Sequence, residues 1–185
     1  GGELRLDGLF GLATLSLDAL QRIGGGLVVR WASALDRLWL PSLSEVGTTV
    51  HIEVLPSATS VGFPALTTVG SDLWLLSLNA PTIDLSAVET VGYNLYIGEN
   101  KGIVTMSLDA LQSIGNHLWI WGNPPLSAFA APLLEEVGGN LTVSQHKTLQ
   151  SLNLDSLKRA ARSVSFFEND GLADMSFESL ETVAE

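Results

Sequence analysis

A unit of 23 residues recurs along the whole chain and constrains the fold more than any single side chain does. Each unit is anchored by an aliphatic residue and a glycine, followed after two variable positions by an apolar–x–apolar triplet. The anchors are Ile23-Gly24, Val46-Gly47, Val69-Gly70, Val91-Gly92, Ile114-Gly115 and Val137-Gly138, with a decayed copy at Ala160-Ala161 and Val183 opening another. The triplets they introduce are Leu27-Val28-Val29, Val50-His51-Ile52, Leu73-Trp74-Leu75, Leu95-Tyr96-Ile97, Leu118-Trp119-Ile120, Leu141-Thr142-Val143 and Val164-Ser165-Phe166. Successive anchors lie 23, 23, 22, 23, 23, 23 and 23 residues apart. A period of this size belongs to a solenoid, because one such unit cannot bury its own apolar face and must stack on its neighbours.

A second triplet recurs within each unit, as in Leu15-Ser16-Leu17, Leu38-Trp39-Leu40, Met106-Ser107-Leu108 and Leu152-Asn153-Leu154. Alternation of period two marks a strand with one buried face. Three residues further on stands another aliphatic (Leu20, Leu43, Leu66, Val88, Leu111, Leu134, Leu157, Leu180), preceded by a turn-former or cap such as Asp18, Pro41, Pro64 or Asp109. Asp18-Ala-Leu-Gln21 and Asp109-Ala-Leu-Gln112 have capping-box spacing, which predicts one helical or 3-10 turn here. The glycine after each anchor suits a tight corner into the first strand. Asn100, Asn123, His146 and Asn169 fall at one bend, and Asn94, His117 and Asn140 at one corner, where stacked side chains bond the backbone of neighbouring coils. The expected fold is mainly β: a right-handed solenoid of about eight 23-residue coils, with two short strands and one helical or 3-10 turn per coil.

Totals exclude several functions. Apolar residues make up 46% of the chain, enough for a continuous core. Nine Lys and Arg against 20 Asp and Glu give a net charge of −11, the wrong sign for holding nucleic acid. No run of about 18 apolar residues is present, so no membrane span is expected. With no cysteine there are neither disulfides nor Cys-based zinc sites. The three histidines lie in different units without ligand spacing, so neither a metal nor a cofactor is expected.

Val137-Gly-Gly-Asn-Leu-Thr-Val143 and Met106-Ser-Leu-Asp-Ala-Leu-Gln-Ser-Ile-Gly115 resemble the repeats of receptor L domains, a leucine-rich-repeat-like solenoid family with members in fungal and bacterial surface proteins. The resemblance covers essentially all 185 residues, though this chain lacks the cysteines of the receptor members. It implies an extracellular or cell-surface module that recognises without catalysing. The chain starts at Gly1 and stops three residues into a new unit, so 1–185 is expected to be one repeat solenoid excised from a longer surface protein.

The outward positions of the first triplet carry the candidate site. Coil by coil they run Arg5, Val28, His51, Trp74, Tyr96, Trp119, Thr142 and Ser165, and the row two residues on includes Glu53, Leu76, Gly98 and Trp121. With neighbouring coils about 4.8 Å apart, Trp74, Leu76, Tyr96, Trp119 and Trp121 gather into one outward patch. Cross-strand packing alone accounts for some aromatic pairs, but an exposed apolar patch anchored by Trp and Tyr marks an interaction surface. The expected partner is a protein, including a second copy of this chain. The alternative is a glycan stacked on the same ladder, with Glu53, Asp72 and Glu99 as a polar rim. Catalysis is not expected: the outward acids Glu53, Asp84 and Glu99 lie on different rows, and no nucleophile motif is present. Asn140-Leu-Thr142 is a formal N-glycosylation sequon.

Overall fold

The computed structural model describes residues 1–184, which form a parallel β-solenoid of about eight coils. The first face is an eight-stranded sheet of Leu4–Asp7, Leu27–Arg30, Val50–Leu55, Leu73–Leu78, Leu95–Gly98, Leu118–Trp121, Leu141–Ser144 and Val164–Phe167, each parallel to the next. The second triplets form the second face, which is divided. Arg37–Trp39, Ser60–Gly62 and Thr82–Asp84 make one sheet, and Thr105–Ser107, Ala128–Ala130, Ser151–Asn153 and Asp174–Ser176 another. The break falls directly after the one 22-residue unit. Its shortening lies in the bend after Leu78, since Leu55 pairs with Leu78 but Ser60 with Thr82.

The coil differs from the sequence expectation in one respect. No helix occurs among the described residues, and the anchors themselves form a third face of two-residue strands, from Arg22–Ile23 through Glu45–Val46 to Thr182–Val183. The expected helical turn is a single β-turn, closed in successive coils by Leu20 N–H to Leu17 C=O, Leu43 to Leu40, Leu66 to Phe63 and onward to Leu180. The capping residues explain why. The carboxylate of Asp18 accepts from Ser16 (3.1 Å) and that of Asp109 from Ser107, two residues back, rather than capping a following turn of helix. Asn153 donates to Asp155 in the same way (3.0 Å). Where this local bond is missing, Pro41, Pro64 or Pro132 presets the turn instead. The chain then passes straight into the next strand.

Inward side chains stack in register along the axis: Leu27, Val50, Leu73, Leu95, Leu118 and Leu141 are all fully buried. Large and small residues trade within a coil, as where Val61 and Phe63 stand beside Leu38 and Leu40. The anchor glycines serve close approach rather than an unusual dihedral. A Cβ at Gly47, Gly70, Gly92, Gly115 or Gly138 would overlap the carbonyl of the glycine one coil earlier.

Two polar ladders hold the bends. Asn100 Oδ1 accepts from Leu78 N–H (3.0 Å), and Asn123 Oδ1 accepts from Asn100 N–H and Nδ2 (both 3.0 Å). His146 is fully buried between Asn123 Nδ2 (3.2 Å from Nε2) and Asn169 Oδ1 (3.2 Å from Nδ1). An amide donor on one side and an acceptor on the other fix the neutral tautomer with its proton on Nδ1. At the corner, Asn94 donates to Asp72 (2.7 Å), His117 N–H to Asn94 Oδ1 (3.1 Å), Asn140 N–H to His117 Nδ1 (2.9 Å), and Ser163 to Asn140 Oδ1 (3.1 Å). These asparagines and histidines act as structural ties, as the turn positions predict.

At the end of each first-face strand the backbone turns left-handed: directly after it at Gly8, Trp31, Glu99, Gly122, Gln145 and Glu168, and at its last residue but one at Val54 and Ser77. A β-branched residue is poorly suited to that region, and Val54 sits at φ 53°. Val54→Asn is expected to raise stability by about 1 kcal/mol, read as a higher denaturant midpoint. An unchanged or lower midpoint contradicts the left-handed bend. Burial lowers the pKa of His146, against a smaller opposing effect of its bond to Asn169. A depressed folded pKa means the unfolded chain takes up the proton first, so this residue's contribution is complete above about pH 6.5 and is lost as pH falls below it. His146→Asn, which supplies the ladder residue of the flanking coils, is expected to flatten that loss. Thermal midpoints between pH 7.5 and 5 that fall in parallel for both proteins would contradict this.

Candidate binding face

Strand register places the aromatic side chains where the sequence periodicity predicts. Tyr96 pairs with Trp74 on one side and Trp119 on the other, Gly98 with Leu76 and Trp121, and His51 with Trp74. The rings touch in sequence: His51–Trp74 at 5.4 Å between centroids, Trp74–Tyr96 at 4.5 Å, Tyr96–Trp119 at 6.1 Å and Trp119–Trp121 at 5.3 Å. Adjacent planes are steeply inclined, by 58° between Trp74 and Tyr96 and 56° between Tyr96 and Trp119. The rings therefore cover one another's edges and do not form one flat strip. Trp74, Leu76, Tyr96 and Trp121 are half-buried, and Trp119 alone of the five is open, at 44% exposure.

Trp121 has a second role. Its indole lies over Gly98 on the previous coil, where a Cβ would overlap the ring. Trp39 covers Gly62 in the same manner on the second face, with the Arg37 guanidinium 4.4 Å from the Trp39 ring centroid. Each Trp fills the space its neighbour's missing side chain leaves. The cue in the sequence is a glycine in the outward slot beside a tryptophan one coil away.

The carboxylates expected to rim the patch are already engaged. Glu53 meets His51 Nε2 at 3.1 Å, Asp72 is held by Asn94 and Ser71, and Glu99, on the left-handed bend, accepts from Ser77 at 3.3 Å. Towards the N-terminal coils the face changes from aromatic to ionic. Arg30 joins Asp7 at 2.6 Å and Arg5 reaches Glu3 and Asp7. The Arg30 bond holds the Asp7 carboxyl below its usual range. Desolvation lowers the His51 pKa, against the pull of Glu53, and raises that of the Tyr96 hydroxyl, which stays protonated as a donor.

The aromatic row ends at Trp119, because its register partner on the next coil is Thr142. A threonine cannot cover an indole, and an open cleft of about 300 Å³ results, lined by Tyr96, His117, Leu118, Trp119, Asn140 and Thr142. Four of these residues, His117, Leu118, Asn140 and Thr142, lie outside the patch predicted from sequence. His117 and Asn140 read there as corner ties, which they are, and the step from Trp to Thr is the signal that marks the cleft. Among the described residues no group of three His, Asp or Glu side chains is placed to hold a metal ion, and no helix is long and apolar enough to cross a membrane. No protein family, curated protein or solved structure matches this chain.

Proposed function

We propose that this chain is a non-catalytic recognition or scaffolding module that acts at the cell surface or outside the cell, with the aromatic face as its contact surface. The observation that carries the reading is an exposed Trp119 on a sheet whose register is fixed by bonds to both neighbouring coils. A side chain held this way binds without first paying for its own ordering. The L-domain-like repeats support an extracellular setting and roles such as adhesion, surface or fibre assembly, or capture of a protein partner. The outward acids support a role without catalysis. Glu53 is tied to His51, Asp84 to Ser86 at 2.7 Å and Glu99 to Ser77, each on a different row, so these three do not pair across a common substrate position. The second reading is a carbohydrate-binding solenoid, favoured by the cleft beside Trp119.

The double variant Trp74→Ala/Trp119→Ala tests the face as a whole. Light scattering coupled to size exclusion reads self-association, and an immobilised glycan array reads sugar binding. The expected result is loss of whichever interaction the wild type shows, by about tenfold or more, with a cooperative unfolding transition retained. Interactions of equal strength in wild type and variant would remove the face from the account.

A further inference from the structure

The geometry points to the cleft between Tyr96, Trp119 and Thr142 as a single-sugar site, which takes one neutral pyranose residue stacked on the open face of the Trp119 indole. This rests on the reading of the aromatic face as a recognition surface and names its ligand class.

Polar groups around the indole carry the assignment. His117 uses Nδ1 to accept from Asn140 N–H (2.9 Å), which leaves its ring proton on Nε2. Asn140 uses Oδ1 to accept from Ser163, which leaves both Nδ2 protons unspent. Neither the Thr142 nor the Tyr96 hydroxyl bonds to a described residue, and desolvation keeps the phenol protonated. Four residues with unspent donors thus line one cleft against one exposed aromatic plane. A protein hot spot is an apolar pocket sealed by its surroundings. An aromatic platform surrounded by small, neutral donors instead suits a ring with one C–H face and several hydroxyls.

Charge and ring geometry narrow the class. No charged residue lines the cleft, and the chain carries a net charge of −11, so uronates and sulfated sugars are disfavoured. The 56° inclination of Tyr96 to Trp119 and 49° of Trp121 to Trp119 prevent neighbouring rings from stacking on consecutive sugars of one chain. The site therefore grips one residue, and extending the glycan adds little.

The test is titration of the intact chain with neutral oligosaccharides of glucose, mannose, galactose, xylose and N-acetylglucosamine, from disaccharide to hexasaccharide. Tryptophan fluorescence and saturation-transfer NMR follow binding. At least one series is expected to bind, with hexasaccharide and disaccharide affinities within about threefold and little change between low and high salt. Trp119→Ala is expected to weaken binding about tenfold or more. Thr142→Trp extends the aromatic row and fills the cleft while keeping Trp119, and is expected to do the same. Trp31→Ala, at an exposed corner outside the face, leaves binding unchanged. Affinity that climbs tenfold or more with chain length, or that survives Thr142→Trp, overturns the single-sugar site. If no sugar binds while the wild type self-associates through Trp119, the sugar assignment fails and the recognition face stands. If neither interaction is seen, both fall.

Discussion

Stacking of each coil on its neighbours, residue upon equivalent residue, is the constraint from which the rest of this structure follows. Gly47 N–H donates to Ile23 C=O, Gly70 to Val46, Gly92 to Val69, Gly115 to Val91 and Gly138 to Ile114, at 2.8 to 2.9 Å. The same coil-to-coil bonding runs along the first face and within each of the two sheets of the second. An unpaired buried amide costs more than the net gain from a formed bond, so a slip of one residue would expose one set of amides and turn the apolar side chains outward. The glycine stack depends on this spacing, since carbonyls approach where any Cβ would stand. So do the Asn and His ladders, which satisfy the bends at the same interval.

Register of this kind makes every outward position a row along the axis, and the rows divide the molecule. Near the N-terminal coils the first face is an ionic net around Arg30, while the bend after it is apolar at Ala32, Leu55 and Leu78. Further along, the face becomes aromatic and the bend becomes the Asn100, Asn123, His146 and Asn169 ladder. The change in both rows comes near the 22-residue unit, where the second face also breaks. The candidate site therefore lies on the half of the solenoid whose bends are tied by side-chain amides, and the cleft at Trp119 shares Asn140 and His117 with the corner ladder. Structural tie and ligand donor are different atoms of the same side chains.

Much of this is legible in the sequence, because period and alternation are global signals that no single substitution erases. The contact of Trp74, Tyr96 and Trp119 follows from counting 22 and 23 residues. The features that are not legible depend on local competition or absence. Asp18 and Asp109 have the spacing of helix caps, but each bonds back to a serine two residues earlier, and the choice between cap and turn is decided by that partner. The left-handed bends at Trp31 and Val54 carry no glycine to announce them. Trp121 reads as a free aromatic until the empty outward slot of Gly98 is seen beneath it. The cleft is defined by what Thr142 fails to cover.

The most direct test of the three-sided, helix-free coil is residue-resolved amide hydrogen exchange. Protection is expected to recur with the unit: high along Leu95–Gly98 and Leu118–Trp121, and high again from Glu89 to Val91 and from Gln112 to Ile114, where the amides of Glu89 and Gln112 bond the coil before. In the turn, Val88 and Leu111 are bonded, while the amides of Ala87 and of Asp109 and Ala110 exchange freely. An unbroken protected run from Ser86 to Thr90 or from Asp109 to Ser113 would indicate a helical turn in each coil. That result would contradict the stacked third face on which this account depends.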